Sequence, residues 1–542
     1  MTQHPDEKTY VEVPFIEQLK GMGWDHIEGD IDVPYLTERV SFRDVLLTAR
    51  LRKAIKEINL DDEGRPWLDD DRINEVVSRL ERITAPKLLE ANKEAYDLIV
   101  QGIEVAGDPA RHDGREKSVA VIDFEHPERN DFLAINQFRV DVPGGKTFIT
   151  PDIVLFVNGI PLVVVECKSP RISNPMEEGI NQLLRYSNQR PDVEEDEGCE
   201  RLFYYNQFLV STFRQGARAA TVGAGYEHYM EWRDTSPLPM SKVAAHIDKD
   251  KLNSQETLVA GMLRREHLLD IIRNFILFDQ VEGQQVKLMC RYQQFRAVHK
   301  AIYRLRTGET RKEHGDADQR GGIIWHTQGS GKSFSMVFLV RKMRTLPDLK
   351  SFKVAVVTDR INLEGQLKGT AALTGETVYR AENKNDLARL MKEDTSNIVF
   401  AMVQKYQDQA ARAKDDYQIP DTRMLKAAAP SGKKQGEYKL PAKPILFPVW
   451  NLSPEILVLV DEAHRSHTSM LHANIMRAMP NCAMIGFTGT PIIVGGRKKR
   501  THEIFGDYID QYTIEQPQED GSTVKILYEG RKASNSNFGS QQ

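Results

Sequence analysis

Residues Gly321–Met336 read GGIIWHTQGSGKSFSM. The apolar run Ile323, Ile324, Trp325 has the composition of a buried strand, and Phe334 to Val340 that of an apolar helix. Between them, Gln328, Gly329, Ser330, Gly331, Lys332 and Ser333 form a glycine-spaced turn into the helix start. Strand, glycine loop and helix N-terminus together make an anion site. Glycines let backbone N–H groups turn inward, and the helix dipole adds partial positive charge. At such a site Lys332 reaches the outer phosphates of ATP, and the Ser333 hydroxyl holds Mg²⁺. His326 stands where the pattern G-x-x-x-x-G-K-[ST] has its first glycine.

Size and composition narrow the frame around this stretch. A chain of 542 residues has room for about three or four domains. Its 40% hydrophobic and 28% charged content is ordinary for a soluble globular protein. The opening MTQHPDEKTY has no basic-then-apolar signal segment, and the longest apolar runs fall short of a bilayer span. A cytoplasmic location with no membrane partner is expected. The four cysteines, Cys167, Cys199, Cys290 and Cys482, are scattered, so neither a disulfide framework nor a zinc site is indicated. At a net charge of −5, nucleic-acid binding has to be local, through grooves that concentrate Lys and Arg.

Upstream, residues 1–30 read as a loop followed by an amphipathic helix from about Val11 to Met22. Residues 40–105 are helix-rich, with Val45, Leu46, Ile55, Ile58, Val76, Val77, Leu80 and Ile83 near helical spacing. From Ser118 the period changes, and Val119–Ile122 and Phe132–Ile135 look like strands. Two β-rich runs, 153–157 and 161–167, then flank Asn158-Gly159, a strong hairpin signal. Folding about that turn brings Asp152 to within about one position of opposite Glu166. Glu166 and Lys168 are two apart on one strand and share a face. Paired carboxylates can hold Mg²⁺, which polarises a phosphodiester and lowers the pKa of bound water. Lys168 can orient that water or neutralise developing charge. The same residues would also suit the solvated ends of a buried strand.

Glu177–Arg190 reads as a helix with Gln182 and Tyr186 on one face, able to position a DNA backbone or simply part of an amphipathic helix. The acidic run 192–200 reads as a solvated loop, and residues 202–225 (Phe203-Tyr-Tyr, Phe208-Leu-Val) as strands. A polar segment near 234–254 is a candidate linker, and Thr257–Phe278 a helix or helix pair. In Arg291-Tyr-Gln-Gln-Phe, Tyr292 can stack on a base and Gln294 can read an adenine edge.

Past the glycine loop, Lys353–Thr358 and Asn397–Val403 are buried strands ending at Asp359-Arg360 and Gln404-Lys405. A basic insertion, 426–443, either contacts DNA or is a solvated loop. Glu455–Val460 ends in Asp461-Glu462-Ala463-His464, which puts two acids at the C-terminal edge of a parallel sheet, where ligands bind. Asp461 would hold Mg²⁺ through water, and Glu462 would orient or deprotonate the water attacking the γ-phosphate. The next strand ends in Thr488-Gly489-Thr490-Pro491, whose hydroxyls can link nucleotide to nucleic acid. Arg497–Arg500 is a basic cluster suited to DNA or to plain surface. The fold class expected is α/β: a nuclease domain with a mixed sheet, joined by a helical linker to a RecA-like, P-loop domain with a mostly parallel sheet.

The glycine loop, DEAH and TGTP, in this order, resemble the first motor lobe of superfamily 2 helicases and translocases. Asp152…Glu166-x-Lys168 with Gln182-x-x-x-Tyr186 resembles the PD-(D/E)xK nuclease core. Nuclease before motor in one polypeptide resembles the restriction (R) subunit of type I restriction–modification enzymes. The resemblance rests on PDIVLFVNGIPLVVVECK, WHTQGSGKS, VVTDR, VDEAHRS and FTGTP and extends over essentially the whole chain. It implies a nuclease centre at Asp152, Glu166 and Lys168 assisted by Gln182 and Tyr186, with Mg²⁺ on the two acids. It also implies an ATP site at Lys332, Ser333, Asp461 and Glu462, with Gln294 sensing adenine. His464, Thr488 and Thr490 would couple hydrolysis to movement.

The resemblance further implies translocation of duplex DNA driven by ATP, cleavage away from the recognition site, and partner methylase (M) and specificity (S) subunits. The expected domains are a nuclease over 1–235, a helical linker over 236–280 and motor lobe 1 over 281–505. Residues 506–542 would begin the passage to a second lobe. Two departures stand out: Met402 replaces a common threonine, and the chain ends soon after Pro491. The expectation is an N-terminal fragment that binds ATP weakly and does not translocate alone. A type III-like or free-standing helicase–nuclease and a non-catalytic DNA- or methylase-docking piece are the alternative readings.

Overall fold

The computed structural model describes residues 6–61, 63–108, 114–144, 147–191, 193, 195–315, 318–358, 362–373, 377–402, 447–463, 474–491, 501–513 and 516. Asp359, Arg360, Gln404, Lys405, the insertion 426–443, His464, the Arg497–Arg500 cluster and residues 517–542 lie outside the described residues.

The N-terminal half is built on a mixed sheet of seven strands. They are β1 (Asp25–Glu28), β2 (Phe132–Asn136), β3 (Ile153–Val157), β4 (Ile160–Cys167), β5 (Phe208–Thr212), β6 (Ala217–Ala220) and β7 (Met230–Glu231), side by side in that order. β1 runs parallel to β2 and β4 to β5, and the other neighbours are antiparallel. The β3–β4 turn is the expected hairpin. Asn158 and Gly159 sit at φ 53° and 79°, the left-handed conformation this turn demands. Every residue of β3 and β4 is buried, because the pair lies at the middle of the sheet. That burial explains their unbroken apolar runs, where a half-solvated hairpin would alternate.

Helix α1 (Val13–Gly21) follows a π-helical turn over Lys8–Glu12 and buries Phe15, Ile16 and Leu19. Helices Thr48–Ile58 and Asp70–Glu81 bury Ile55, Val76, Val77 and Leu80 as expected, with Ile58 half-buried; Val45, Leu46 and Ile83 are buried too, but in the segments flanking these helices, and a third helix covers Leu88–Gln101. Helix α2 (Pro175–Tyr186) stops short of the expected Arg190. Asn188 turns left-handed at φ 55°, and its Oδ1 accepts from the N–H groups of Glu197 and Gly198 at 2.9 and 2.7 Å.

Three local expectations are corrected. The strand near Val119 covers Glu116–Val119 and goes no further, because the Asn59 side chain takes both the N–H and the carbonyl of Ala120, each at 2.8 Å. Phe203 and Tyr204 belong to a short helix, Glu200–Tyr204, not a strand. Asn92 Nδ2 donates to the terminal carbonyls of Phe203 and Asn206 at 2.8 and 2.7 Å, satisfying a helix end that would otherwise be orphaned. The helix expected to reach Phe278 ends at Asn274, and a hairpin follows: β8 (Ile276–Val281) and β9 (Gln284–Met289), turning at Glu282-Gly283.

The segment between the halves is a helix pair, α3 (Ser254–Met262) and α4 (Arg265–Asn274), as the sequence suggested. It packs firmly on the N-terminal half. Trp24 Nε1 donates to the Leu263 carbonyl at 3.0 Å and Gln255 Nε2 to that of Val11 at 3.1 Å.

After helix α5 (Tyr292–Thr307) comes the second seven-stranded sheet. Its strands are β10 (Gly322–His326), β11 (Lys353–Thr358), β12 (Val378–Ala381), β13 (Ile398–Met402), β14 (Ile456–Val460), β15 (Ala483–Thr488) and β16 (Tyr508–Tyr512). The spatial order is β12-β13-β11-β14-β15-β10-β16, and all neighbours are parallel. Helix α6 (Lys332–Thr345) leaves β10 through the glycine loop. Parallel strands put their C-terminal ends on one edge, so the glycine loop, Asp461 and Thr488 share that edge.

One continuous apolar core runs from Val11 through the first sheet, the helix pair, α5 and α6 to Tyr512. Arg341 on α6, only 3% exposed, joins the halves directly. It donates to the Ile276 carbonyl at 2.5 Å and to the Tyr96 hydroxyl.

Candidate functional site

At the mouth of the β3–β4 hairpin the register pairs Ile153 with Val165, so Asp152 and Glu166 meet one step further on. Asp152 Oδ2 accepts from the Cys167 N–H at 2.7 Å. Lys168 Nζ donates to Glu166 Oε1 at 2.5 Å and to the Cys167 carbonyl at 3.0 Å. All three side chains are buried, and Glu166 Oε2 is buried without a partner. The structure therefore brings Asp152, Glu166 and Lys168 together inside the protein. They are not solvated strand ends.

Burial dominates the electrostatics. It pushes Asp152 up to about 6, against the pull of Lys168 and the Cys167 N–H. It pushes Glu166 well above the carboxylate range, and the neighbouring Asp152 charge adds to this. For Lys168, burial works to lower the pKa, but Glu166 and Asp152 outweigh it and hold the ammonium charged. Two carboxyls kept apart from full ionisation by desolvation and mutual repulsion are what a divalent cation would reverse.

Among the described residues no three His, Cys, Asp or Glu side chains are gathered tightly enough to hold a metal on their own. Mg²⁺ binds through one or two carboxylates plus substrate oxygens and water. The partnerless oxygen of Glu166 beside Asp152 fits that donor set.

Gln182 and Tyr186 lie one turn apart on α2, and Gln182 Nε2 donates to the Tyr186 hydroxyl. The hydroxyl in turn donates to the Thr150 carbonyl at 3.1 Å. The pair thus braces the turn that delivers Asp152. Burial, then the charges of Glu166 and Asp152, push the Tyr186 hydroxyl pKa up.

Sequence reasoning missed Glu7 and Glu12. Glu7 accepts from the Ser169 N–H at 3.1 Å, and buried Glu12 accepts from Asn136 Nδ2 at 2.7 Å. Their charges add to the upward push on Asp152. A glutamate three and four residues before the buried Phe15 and Ile16, hence on their helix face, was the available signal.

The second constellation surrounds the glycine loop. Gly329 and Gly331 are left-handed, φ 86° and 79°, and a Cβ on Gly331 would stand 2.5 Å from Gln294 Nε2. Both reasons require glycine there. Ser330 Oγ closes the turn on the Thr327 carbonyl at 2.6 Å. Lys332 Nζ lies against the carbonyls of His326 and Thr327 at 3.2 and 3.3 Å, and Ser333 is half-buried on the first turn of α6.

The TGTP segment reaches this loop: a Cβ on Gly489 would lie 3.3 Å from Lys332 Nζ. Thr488 is fully buried and its Oγ1 accepts from the Thr490 N–H at 3.2 Å. On β14's exit, Asp461 Oδ2 accepts from Thr358 Oγ1 at 3.0 Å. Glu462 follows in a left-handed conformation, φ 49°, uncommon for a non-glycine residue.

Gln294 does not project as a free base reader. Its Oε1 accepts from the Arg291 N–H at 2.8 Å and its Nε2 donates to the Gly331 carbonyl at 2.9 Å. Tyr292, beside it, lines a cavity of about 310 Å³ whose far wall includes Arg218, Tyr229 and Arg233 of the N-terminal half.

Two family models match. Residues 4–228 fit the type I restriction enzyme R protein N terminus, and residues 293–541 fit the SWI2/SNF2 ATPase. The putative type I restriction enzyme MjaIXP endonuclease subunit of Methanocaldococcus jannaschii is 29% identical over 97% of this chain and 46% of its own length. The type I restriction enzyme HindI endonuclease subunit of Haemophilus influenzae is 31% identical over 95% of this chain and 45% of its own. The chain thus spans a little under half the length of these relatives. Among solved structures, a nuclease-deletion mutant of the Type ISP restriction-modification enzyme LlaGI with a DNA substrate mimic matches at 15% identity. It covers 42% of this chain and 20% of that one, with a TM-score of 0.26. No helix among the described residues is long and apolar enough to cross a membrane. Over 95% or more of its length the chain is thus similar to endonuclease subunits of type I restriction enzymes, its N-terminal part matching the R-protein N terminus and its C-terminal part the SWI2/SNF2 ATPase.

Proposed function

We propose that this chain carries the nuclease and the first motor lobe of a DNA-translocating restriction enzyme. Residues 1–235 act as the endonuclease, 236–280 as the helical connection, and the RecA-like lobe begins at 281 and runs past the expected bound of 505 to include β16, Tyr508–Tyr512. The observation that carries the reading is the buried meeting of Asp152, Glu166 and Lys168, with a Glu166 oxygen left partnerless.

Asp152 and Glu166 would hold Mg²⁺, which would polarise the phosphodiester and lower the pKa of a bound water. Lys168 neutralises charge developing on the scissile phosphate, while Gln182 and Tyr186 hold the Asp152 turn in place. In the C-terminal half, Gln328, Gly329, Ser330 and Gly331 cradle phosphates through backbone N–H groups, and Lys332 reaches the outer phosphates. Ser333 and Asp461 suit the nucleotide's Mg²⁺, a hydroxyl and a carboxylate being hard oxygen donors. Glu462 orients the attacking water, Tyr292 stacks on the base, and Gln294 senses nucleotide through Gly331. Thr488 and Thr490, adjoining Lys332, couple the site to DNA, with His464 assigned the same role.

For the whole enzyme the reading is ATP-driven movement along duplex DNA, cleavage distant from the recognition site, cytoplasmic location, and assembly with methylase and specificity subunits. Equilibrium binding of a fluorescent ATP analogue with Mg²⁺ tests the nucleotide half. Binding lost on Lys332→Ala is expected, and binding indifferent to it would refute that half.

A further inference from the structure

The phosphate loop of this chain begins on a fully buried histidine. His326 closes β10, and its Nε2 faces Asp510 Oδ2 at 2.9 Å. Its Nδ1 is buried without a partner, so the proton sits on Nε2 and the imidazole donates to the carboxylate. The ring packs edge-on against Tyr512 with centroids 5.7 Å apart.

Asp510, on β16, is 3% exposed. Arg296 grips it through Nε and Nη2 at 2.8 and 3.0 Å, and Lys300 Nζ adds a third contact at 2.8 Å. Burial pushes this carboxyl up, yet His326 and Arg296 more than offset it and hold it well below the usual carboxylate range.

A first-position glycine leaves the loop's entry free to pivot, and a packed, hydrogen-bonded histidine does not. The carbonyls that receive Lys332 Nζ belong to His326 and Thr327. The Thr327 N–H donates to the Tyr512 carbonyl at 3.1 Å, so the loop's entry rests on β16. Its exit is tied to the same strand by another route. Arg296 lies on α5, one half-turn from Gln294, whose Nε2 meets the Gly331 carbonyl at 2.9 Å. Asp510 therefore reaches the loop's entry through His326, while the exit rests on the same helix that carries Arg296.

Resting on the nucleotide-binding reading above, we propose that Asp510 is a positioning residue for ATP, acting through His326 to pre-set the entry of the phosphate loop. The Asp510 carboxylate is hydrogen-bonded to His326, Arg296 and Lys300. Its effect passes through the imidazole to the carbonyls and N–H groups that follow it.

The test is a double-mutant cycle on the affinity for a fluorescent ATP analogue with Mg²⁺, using this chain, Asp510→Asn, His326→Gly and the pair, with Lys332→Ala as control. Asp510→Asn is expected to weaken binding roughly tenfold in the His326 background and less than about twofold in the His326→Gly background, whatever His326→Gly does alone. Equal losses in both backgrounds, or none, overturn the proposal. A merely structural Asp510 would lower the melting temperature alike in both and give no background-dependent affinity. If Asp510→Asn folds poorly, His326→Phe keeps a ring and removes the donor; it is expected to show the same loss, and unweakened binding overturns the proposal. Binding by the unaltered chain that Lys332→Ala does not weaken is a different failure. It removes the nucleotide reading and this inference with it.

Discussion

Asp152→Asn should make the metal-free protein more stable at neutral pH while removing its response to Mg²⁺. Burial raises the Asp152 carboxyl from 3.8 to about 6 in the folded chain. A carboxyl whose folded pKa lies above its unfolded value stabilises the fold in acid. That contribution is complete below the unfolded pKa, near 4, and is lost as pH rises through about 6. Above pH 6 the unaltered protein bears the full penalty of keeping this charge buried, about 3 kcal/mol at 1.36 kcal/mol per pH unit.

Asparagine has no such penalty, and its Oδ1 can still accept from the Cys167 N–H. The expected stability gap between variant and parent is near zero at pH 4, grows through pH 5 and levels off at roughly 2–3 kcal/mol above pH 7. Lys168 keeps its contact with Glu166 throughout, so the substitution leaves no cation unpaired. The assay is urea denaturation at pH 5 and pH 8, each with and without Mg²⁺. The parent should gain stability with Mg²⁺ at pH 8 and the variant should not. A variant less stable than the parent at pH 8, or one stabilised by Mg²⁺ to the same extent, would refute the reasoning.

Other consequences follow from single contacts. Gly331→Ala forces a Cβ toward Gln294 Nε2 in a left-handed residue, and should weaken ATP binding roughly tenfold by titration while lowering the unfolding free energy by about 1–2 kcal/mol. Arg341→Ala removes the buried contacts to Ile276 and Tyr96. It should lower unfolding free energy by about 3 kcal/mol, and Tyr96→Phe by about 1 kcal/mol; a loss under 1 kcal/mol for Arg341→Ala would show that this joint contributes little. Asn158→Ala loses both a left-handed preference and donations to Val121 and Asn130 at 2.9 and 2.8 Å. Denaturation should show a loss of about 2–4 kcal/mol.

The parts of this fold that could be read in advance are those where local chemistry leaves one solution. Asn158-Gly159 demands a left-handed pair, so the hairpin follows from it and brings Asp152 to within one position of Glu166; a register shift between Leu155 and Phe156, which the sequence did not signal, supplies the last step. Gly329-Ser-Gly-Lys-Ser between a strand and an apolar helix likewise determines the anion loop and the sheet edge on which it sits. What could not be read depends on partners distant in sequence.

Nothing near Ala120 tells that Asn59 will take both its backbone groups, nor near Phe203 that Asn92 will satisfy a helix end in place of a strand ladder. Glu12 looks like one polar position on an amphipathic helix until the fold packs it against Asn136. Gln294 carries the donor and acceptor a base needs, but Arg291 and Gly331 occupy both. His326 could be seen as a departure from the glycine pattern, whereas its reason, Asp510 on a strand that enters the sheet much later, required the three-dimensional structure.

If Asp152, Glu166 and Lys168 are a metal-dependent nuclease centre, they should work independently of the nucleotide loop. The measurement that tests it most directly is nicking of supercoiled plasmid by this chain with Mg²⁺ and no ATP, beside Asp152→Ala and Lys332→Ala. Conversion to open circles is expected from the parent and from Lys332→Ala, and none from Asp152→Ala or on chelation of Mg²⁺. Cleavage that survives Asp152→Ala would contradict it.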